Sequence, residues 1–434
     1  MVTTADTTAA TPMRRVAAAC LVGSAIEFYD FMIYGTAAAL VFPTVFFPHL
    51  SPALGTLASM GTFASAFVSR PIGGVAFGYF GDRLGRKKTL IATLLIMAVS
   101  TMSVGAVPST ATIGVAAPLI LVALRLLQGF AVGGEWAGSA LLSAEYAPDD
   151  RRGHYGMFTL LGGGTAVVLS SLTFLGVNFT IGENSPAFMQ WGWRVPFLIS
   201  AGLIAIALYV RTRIGETPVF VAEQSRNLVS RAPFAELWRC QRREIALAAG
   251  SILGGMSFVY MSNTYLTRYA YAELGYARGF IWAVGALGGL VSIAFVALSA
   301  NLSDRFGRRR VMLLGWAGCV PWALAVIPLI DTGNSVLYAV AIVGMCAIGG
   351  IGSGPTGAFI PELFATRYRY SASALAINLA GVLGGALPPL IAGTLQATYG
   401  SWAVGPMLAA LASAGLVCTY LLPETRDVTL HSGG

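Results

Sequence analysis

The chain has 434 residues, of which 56% are hydrophobic and only 11% charged, with a formal net charge of +8. Soluble domains carry roughly 25% charged residues, so this composition excludes a globule with a charged, water-facing surface. Its apolar residues fall in long runs, and about 20 such residues are what a helix needs to cross roughly 30 Å of hydrocarbon.

Twelve runs predict twelve transmembrane helices, at approximately 16–41, 55–80, 89–107, 114–140, 155–180, 192–213, 244–268, 278–301, 310–330, 336–361, 371–395 and 402–422. Backbone groups in lipid must satisfy their own hydrogen bonds, so these runs are helices. The short half-polar alternation of barrel strands is absent. The first run is too long for a signal-peptide core and has no clear small-residue cleavage site, so it is expected to be the first span.

The first span carries Glu27 and Asp30, three residues apart on one helix face, with Tyr34 near that face. Arg70 lies in the second span, and Arg125 and Glu135 in the fourth. At about 1.5 Å per residue, Glu27 is roughly 18 Å from Arg15 and Arg70 roughly 18 Å from Asp82, near mid-membrane; Glu135 is roughly 15 Å from Glu145. Charges inside a bilayer are costly and mark candidate function. Internal ion pairing that only holds the helices together is the plainer alternative. The second half has no charge at that depth. It offers Tyr260 and Asn263 in the seventh span and Asn378 in the eleventh as polar groups able to meet a substrate, or to bond between helices.

Between spans two and three runs Gly81-Asp82-Arg83-Leu84-Gly85-Arg86-Lys87-Lys88. Between spans eight and nine runs Ser303-Asp304-Arg305-Phe306-Gly307-Arg308-Arg309-Arg310. A second echo sets Glu145 seven residues before Arg152, and Glu362 seven before Arg369. The offsets between the halves, 222 and 217 residues, are nearly equal and argue for a duplicated plan. The expected organisation is a six-helix bundle over 1–213, a polar central loop over 214–243 and a second six-helix bundle over 244–434.

Of the 27 Lys and Arg residues, 22 fall at one set of helix ends. Arg194, Arg268 and Arg278 lie near the other, and Arg70 and Arg125 within spans. The positive-inside rule then puts both termini in the cytoplasm, and the basic excess is a topology signal rather than a nucleic-acid footprint. Arginine outnumbers lysine 25 to 2, which suggests a GC-rich genome and a bacterial inner membrane. The five cysteines have no metal or redox spacing. No nucleophile–base set, metal-ligand motif or nucleotide loop is present, so no enzyme activity, cofactor or metal site is expected.

The paired Asp-Arg-x-Gly-Arg loops resemble the signature of the major facilitator superfamily. Further stretches resemble its metabolite:proton symporter branch: Glu27-Phe28-Tyr29-Asp30-Phe31, Arg70-Pro71-Ile72-Gly73-Gly74, Arg125-Leu126-Leu127-Gln128-Gly129, Gly133-Gly134-Glu135-Trp136, Trp191-Gly192-Trp193-Arg194-Val195-Pro196-Phe197, Glu216-Thr217-Pro218-Val219-Phe220 and Pro361-Glu362-Leu363-Phe364. The resemblance spans nearly the whole chain. It implies an all-α membrane protein with the major facilitator fold, working as a monomeric symporter that imports a small organic acid, such as shikimate or a di- or tricarboxylate, together with a proton. Export or uniport, or carriage of a zwitterion such as betaine, is the alternative on the same fold. Osmosensing proline/betaine members have a long charged tail, whereas about a dozen residues follow the last span here, so osmosensing is not expected. Asp30, Glu135 and Glu27 are then candidate proton carriers, because burial without a basic partner disfavours a charged carboxylate. Arg70, Arg125, Tyr34, Tyr260, Asn263 and Asn378 are candidate substrate contacts. The resemblance also implies a cytoplasmic latch built from Asp82, Arg83, Arg86, Glu145, Arg152, Asp304, Arg305, Arg308, Glu362 and Arg369. Asp82 is expected near the start of the eleventh span and Asp304 near the fifth, where a helix dipole favours an anion.

Overall fold

The computed structural model describes residues 13–84, 86–133, 135–182, 185–212, 233–365 and 369–428, without the side chains of 78, 79, 81–84, 86, 87, 137, 145, 210–212 and 233–239. Asp82, Arg83, Arg86 and Glu145 of the expected latch therefore lie, as side chains, outside the described residues.

The described residues are helical throughout, with no strand. The first half comprises α1 (Met13–Leu40), α2 (Pro52–Leu84), α3 (Arg86–Ala106), α4 (Ala116–Val132, then Glu135–Tyr146), α5 (Arg152–Ile181) and α6 (Val195–Thr212). The second comprises α7 (Pro233–Ser251, Leu253–Asn263 and Tyr265–Ala272), α8 (Arg278–Phe306), α9 (Arg308–Asp331), α10 (Ser335–Ser353, then Thr356–Glu362), α11 (Arg369–Ala380, a π-helical turn Gly381–Ala386, and Leu387–Tyr399) and α12 (Val404–Leu421). Among the described residues, ten stretches are helices long and apolar enough to cross a membrane, and Ala116–Val132 of α4 is a shorter apolar helix. Ile72, Leu119 and Leu314 are each more than 60% exposed, as expected where the surrounding solvent is lipid. None of the five cysteines forms a disulfide.

The interior helices come in equivalent positions. In its most apolar stretch α1 is 78% buried and α7 72%, against 39% for α8, α9, α10 and α12. Helix α7 begins at Pro233, inside the stretch expected as loop, and Gln241 (φ −129°, ψ 19°) marks a kink in it. It breaks again at Thr264, where the backbone (φ −120°, ψ −80°) leaves helical geometry. Helix α10 is interrupted at Gly354-Pro355, where proline lacks the amide hydrogen that the preceding turn needs. Continuous spans were expected at α4, α7 and α10. Apolar periodicity carries no signal for these breaks.

Glycine brings two helices to backbone contact. A Cβ on Gly73 would stand 1.8 Å from the Phe130 carbonyl oxygen, one on Gly129 1.9 Å from that of Ala66, and one on Gly133 2.1 Å from that of Arg70. Helices α2 and α4 thus run together along a seam where no side chain fits. Lipid tails are as apolar as leucine, so close packing of small residues is what holds membrane helices together. The two halves meet along α5 and α8, where a Cβ on Gly164 would lie 3.2 Å from the Gly289 carbonyl oxygen. They also meet along α2 and α11, where Gly381 and Gly385 face Phe67.

Replacing Gly129 by Ala forces α2 and α4 apart and is expected to cost about 1–3 kcal/mol, whereas Gly61→Ala on the same α2, with nothing within 4 Å of the new methyl, is expected to be silent. Thermal unfolding of detergent-purified protein checks the pair; equal melting temperatures would remove the packing account.

Candidate functional site

The α2–α4 seam fixes where two cations stand. Arg70 lies in the turn of α2 that abuts Gly133, and Arg125 lies one turn before Gly129. Arg125 is fully buried and Arg70 is 6% exposed. Both guanidinium groups pack on Phe31 of α1, with Cζ 4.0 Å (Arg70) and 4.5 Å (Arg125) from the ring centroid. Arg70 also stacks on Phe67 at 4.4 Å, and Arg125 on Tyr34 at 3.8 Å. The aromatic faces offset part of the desolvation cost, a cation–π contact being worth about 2 kcal/mol when water is excluded. The two arginines remain within electrostatic range of each other.

The acids of α1 and α4 surround this pair. Glu27, Asp30 and Glu135 are at most 3% exposed. Asp30 lies within range of both Arg125 and Glu135. It is tied to Arg125 through two residues that sequence reading did not single out. Thr101 of α3 donates to Asp30 Oδ2 at 2.6 Å, Gln128 Nε2 donates to Thr101 Oγ1 at 2.7 Å, and Arg125 Nη1 donates to Gln128 Oε1. Arg125 Nε and Nη2 find no hydrogen-bond acceptor, and neither does Asp30 Oδ1 find a donor. The Nε–Nη2 edge is a side of guanidinium that can take a carboxylate with two parallel bonds. Gln128 stands in the motif quoted for α4. A lone threonine in an apolar span, such as Thr101, most often bonds its own helix, and nothing in sequence marks it otherwise.

The polar candidates divide. Tyr34 is in the cluster, its hydroxyl donating to Thr62 Oγ1 at 2.8 Å. Tyr260 of α7 reaches across from the other half, within range of Arg70, Glu27 and Arg125, with its ring 5.3 Å from Phe67. Asn378 of α11 donates to the Gly133 carbonyl at 2.8 Å, joining the two halves at the α4 turn. Asn263 is apart from the arginines; it bonds Val259 of its own helix and lines a cavity together with Tyr260.

At the end of the bundle that carries the basic loops, Asp304 accepts from the amides of Gly153 at 2.9 Å and His154 at 2.8 Å, so the end of α8 caps the start of α5 in the opposite half. Arg308 Nη1 holds Asp304 at 2.7 Å, and Arg308 Nη2 lies 3.5 Å from Glu362. Arg152 of the first half reaches Glu362 of the second at 3.9 Å and also pairs with Asp149. Residues beyond α12 join in: Glu424 accepts from the amides of Arg308 and Arg309, Thr425 donates to Glu362 at 2.6 Å, and Arg152 donates to the Val428 carbonyl at 2.5 Å. Arg369 donates to the Phe364 carbonyl at 3.3 Å, and Arg305 is exposed. Sequence reading missed Glu424 and Thr425, which sit outside both repeats. At the far end, Arg268 donates to Thr56 at 2.6 Å and Phe174 stacks on Trp282 at 5.4 Å, again across the halves. Contacts between halves at both ends enclose the charged centre.

Two helical bundles packed around a buried polar centre are the architecture of a membrane transporter. The chain belongs to the Major Facilitator Superfamily, whose family model matches residues 21–389. It is 42% identical to the inner membrane metabolite transport protein YhjE of Escherichia coli K12, over 96% of this chain and 95% of that one. It is 37% identical to the shikimate transporter of the same organism, over 90% and 89%, and 32% identical to the proline/betaine transporter of Salmonella typhimurium LT2, over 96% and 84%. Among solved structures it resembles the proton:xylose symporter XylE bound to 6-bromo-6-deoxy-D-glucose, with TM-score 0.76 at 18% identity over 96% and 97% of the two chains, a likeness of fold. The chain is thus a multi-pass membrane transporter related to metabolite carriers, and not an enzyme.

Asp304→Asn keeps shape but weakens two charge-assisted bonds across the halves. It is expected to leave the protein inserted and to raise maleimide labelling, from the basic-loop end, of a cysteine placed at the cavity residue Ser353 in an otherwise cysteine-less background. Labelling at the wild-type rate would mean that this contact does not hold the end closed.

Proposed function

We propose that the protein is a secondary symporter that imports a small organic acid with a proton by alternating access, with both termini in the cytoplasm of a bacterium. The observation that carries this reading is the buried set on α1, α2 and α4, in which Arg125 leaves one edge unbonded and is linked through Gln128 and Thr101 to Asp30. Two arginines near each other suit an anionic cargo. A carboxyl in hydrocarbon is costly when charged and alone, which suits it to carry a proton.

In the proposed cycle the substrate carboxylate binds the arginine pair, with Arg125 taking it at the Nε–Nη2 edge and Tyr260 closing from the other half. The anion competes with the acids for arginine, so they favour protonation once it is bound. Asp30 and Glu135 rank above Glu27 as carriers, because Asp30 lies within range of both Arg125 and Glu135. Asp304, Arg152, Arg308 and Glu362 form the cytoplasmic gate, with Asp82 as the counterpart of Asp304 in the repeat. The names of the shikimate and proline/betaine relatives agree with a carboxylate-bearing cargo.

Purified protein in liposomes tests the coupling. Asp30→Asn and Glu135→Gln are each expected to lose proton-driven accumulation of an organic acid while keeping exchange at equal concentrations. Accumulation at wild-type level in both, and in Glu27→Gln, would defeat the symport reading. Arg125→Lys keeps the charge but loses the fork. Removing a charged hydrogen bond of about 1.5–3 kcal/mol weakens acid binding by roughly ten- to a hundredfold, measured by competition in detergent; unchanged affinity would make Arg125 a purely structural cation.

A further inference from the structure

Between the halves, beside the arginine cluster, lies a cavity of about 110 Å³ walled by α1, α4, α5, α7, α8 and α10. We propose that it seats the apolar ring of a cyclic monocarboxylic acid, which names the substrate class of the symport reading and rests on that reading.

Charge is the first observation. The cavity lining includes no Asp, Glu, Lys, Arg or His. A second carboxylate placed here would be desolvated with no cation to meet it, a cost that an apolar body avoids. The walls are uncharged and mostly apolar, with Phe28, Met32, Met256 and Phe258 among them, and carry a few neutral polar groups such as Asn263, Ser292 and Thr356.

Shape is the second. Gly163 and Gly349 present bare backbone to the cavity from opposite halves. A Cβ on Gly163 would come no closer than 3.9 Å to Phe28, and one on Gly349 no closer than 3.8 Å to Phe258. Helix packing does not require glycine at these two positions, in contrast to Gly129 and Gly133. Their effect is to leave room and a smooth surface of the kind a flat or puckered ring covers. An apolar cavity of about 150 Å³ takes one benzene molecule, so this one, at about 110 Å³, has room for no more than a single ring.

Orientation is the third. One buried donor on the lining, Trp136 Nε1, has no hydrogen-bond partner, and buried polar groups ordinarily have one; the Tyr260 hydroxyl, also on the lining, faces Arg70. Both residues are at most 6% exposed. Tyr260 is also the wall between cavity and cations, since its ring meets Phe67, on which Arg70 stacks. A cyclic acid entering with its carboxylate toward Tyr260 supplies acceptors to the donors and sets its charge at the arginine side. Its ring then covers the glycine floor. A smaller recess lined by Thr36, Ser171, Ser262 and Thr267 shares Asn263 and Cys346 with the cavity and leads from it toward the outer ends of α7 and α8.

The test is counterflow and competition in liposomes holding the full chain, with cyclohexanecarboxylate, benzoate, acetate, succinate, citrate and glycine betaine as probes. The two cyclic acids are expected to exchange, and succinate and citrate to compete at least tenfold more weakly. Gly163→Ala and Gly349→Ala are expected to weaken cyclohexanecarboxylate by about tenfold, the discrimination one methyl group gives in an apolar pocket, and to leave competition by acetate unchanged. Should either variant fail to elute as folded protein, Trp136→Phe keeps the ring, loses one donor and is expected to weaken benzoate severalfold. Uptake of succinate or citrate in preference to both cyclic acids would overturn the ring seat and leave organic-acid symport standing. Uptake of betaine and no acid would overturn both. Wild-type affinity for the cyclic acids in both alanine variants and in Trp136→Phe would also overturn the seat.

Discussion

Among the described residues, the acids Glu27, Asp30 and Glu135 and the arginines Arg70 and Arg125 stand deep in the spans at 6% exposure or less, and the cost of keeping them there shapes what surrounds them. Charges in hydrocarbon persist only with partners close by. Glycines on α2 and α4 bring the two backbones into contact, so that Arg70 and Arg125 arrive side by side. Helix α1 then supplies the acids and the Phe31 ring from the same direction. Thr101 and Gln128 complete a hydrogen-bonded line from Asp30 to Arg125. Without the glycine seam the arginines separate, and the acids of α1 lose the cations that make their burial tolerable.

The two ends of the bundle are closed by different chemistry. At the basic end the contacts are charge-assisted. Asp304 caps α5, while Arg152 and Arg308 converge on Glu362, and residues 424–428 tie into the same knot. At the far end the contacts include aromatic rings, with Phe174 and Phe188 against Trp282, a cation over a ring, with Arg278 on Phe188, and an arginine-to-threonine bond. Between them, the halves touch through glycine on α5 and α8 and through Phe67 against glycines of α11. Small residues at the waist with separable polar contacts at the rims suit rocking of one half against the other, the general plan of such transporters.

Most of the fold was legible because the bilayer allows so few solutions. Twelve apolar runs and two matching Asp-Arg-x-Gly-Arg loops prescribe twelve helices in two bundles, and the Major Facilitator match agrees. Breaks within helices were harder to read. The expected tenth span ran unbroken through Gly354-Pro355, where α10 is interrupted, and Thr264 in α7 looks like any other polar residue in a span. The charged members of the candidate site were visible because Glu, Asp and Arg are conspicuous among apolar residues. Their neutral partners were not. Phe31, Phe63 and Phe67 look like ordinary span residues until the arginines are seen on them, and Thr101 acquires meaning only from the α1 residue across from it. Asn378 shows the reverse: a conspicuous polar residue that the structure uses to join α11 to the Gly133 carbonyl.

The asymmetry between the halves follows from the same electrostatics. All five interior charges belong to the first half, while the second contributes Tyr260 and an uncharged cavity wall. A carrier that must move one half relative to the other gains from this division. If cations stood on one half and their acids on the other, each swing would separate charges in hydrocarbon. With the whole set on α1, α2 and α4, the proposed cycle moves these charges as one body and keeps their mutual contacts. Among the described residues the second half meets the centre through a phenol, an amide and uncharged walls, contacts that can be broken and remade at small cost. In the proposed cycle the coupling of proton to anion is therefore local to the first half, and the second half reports it by closing or opening over Tyr260.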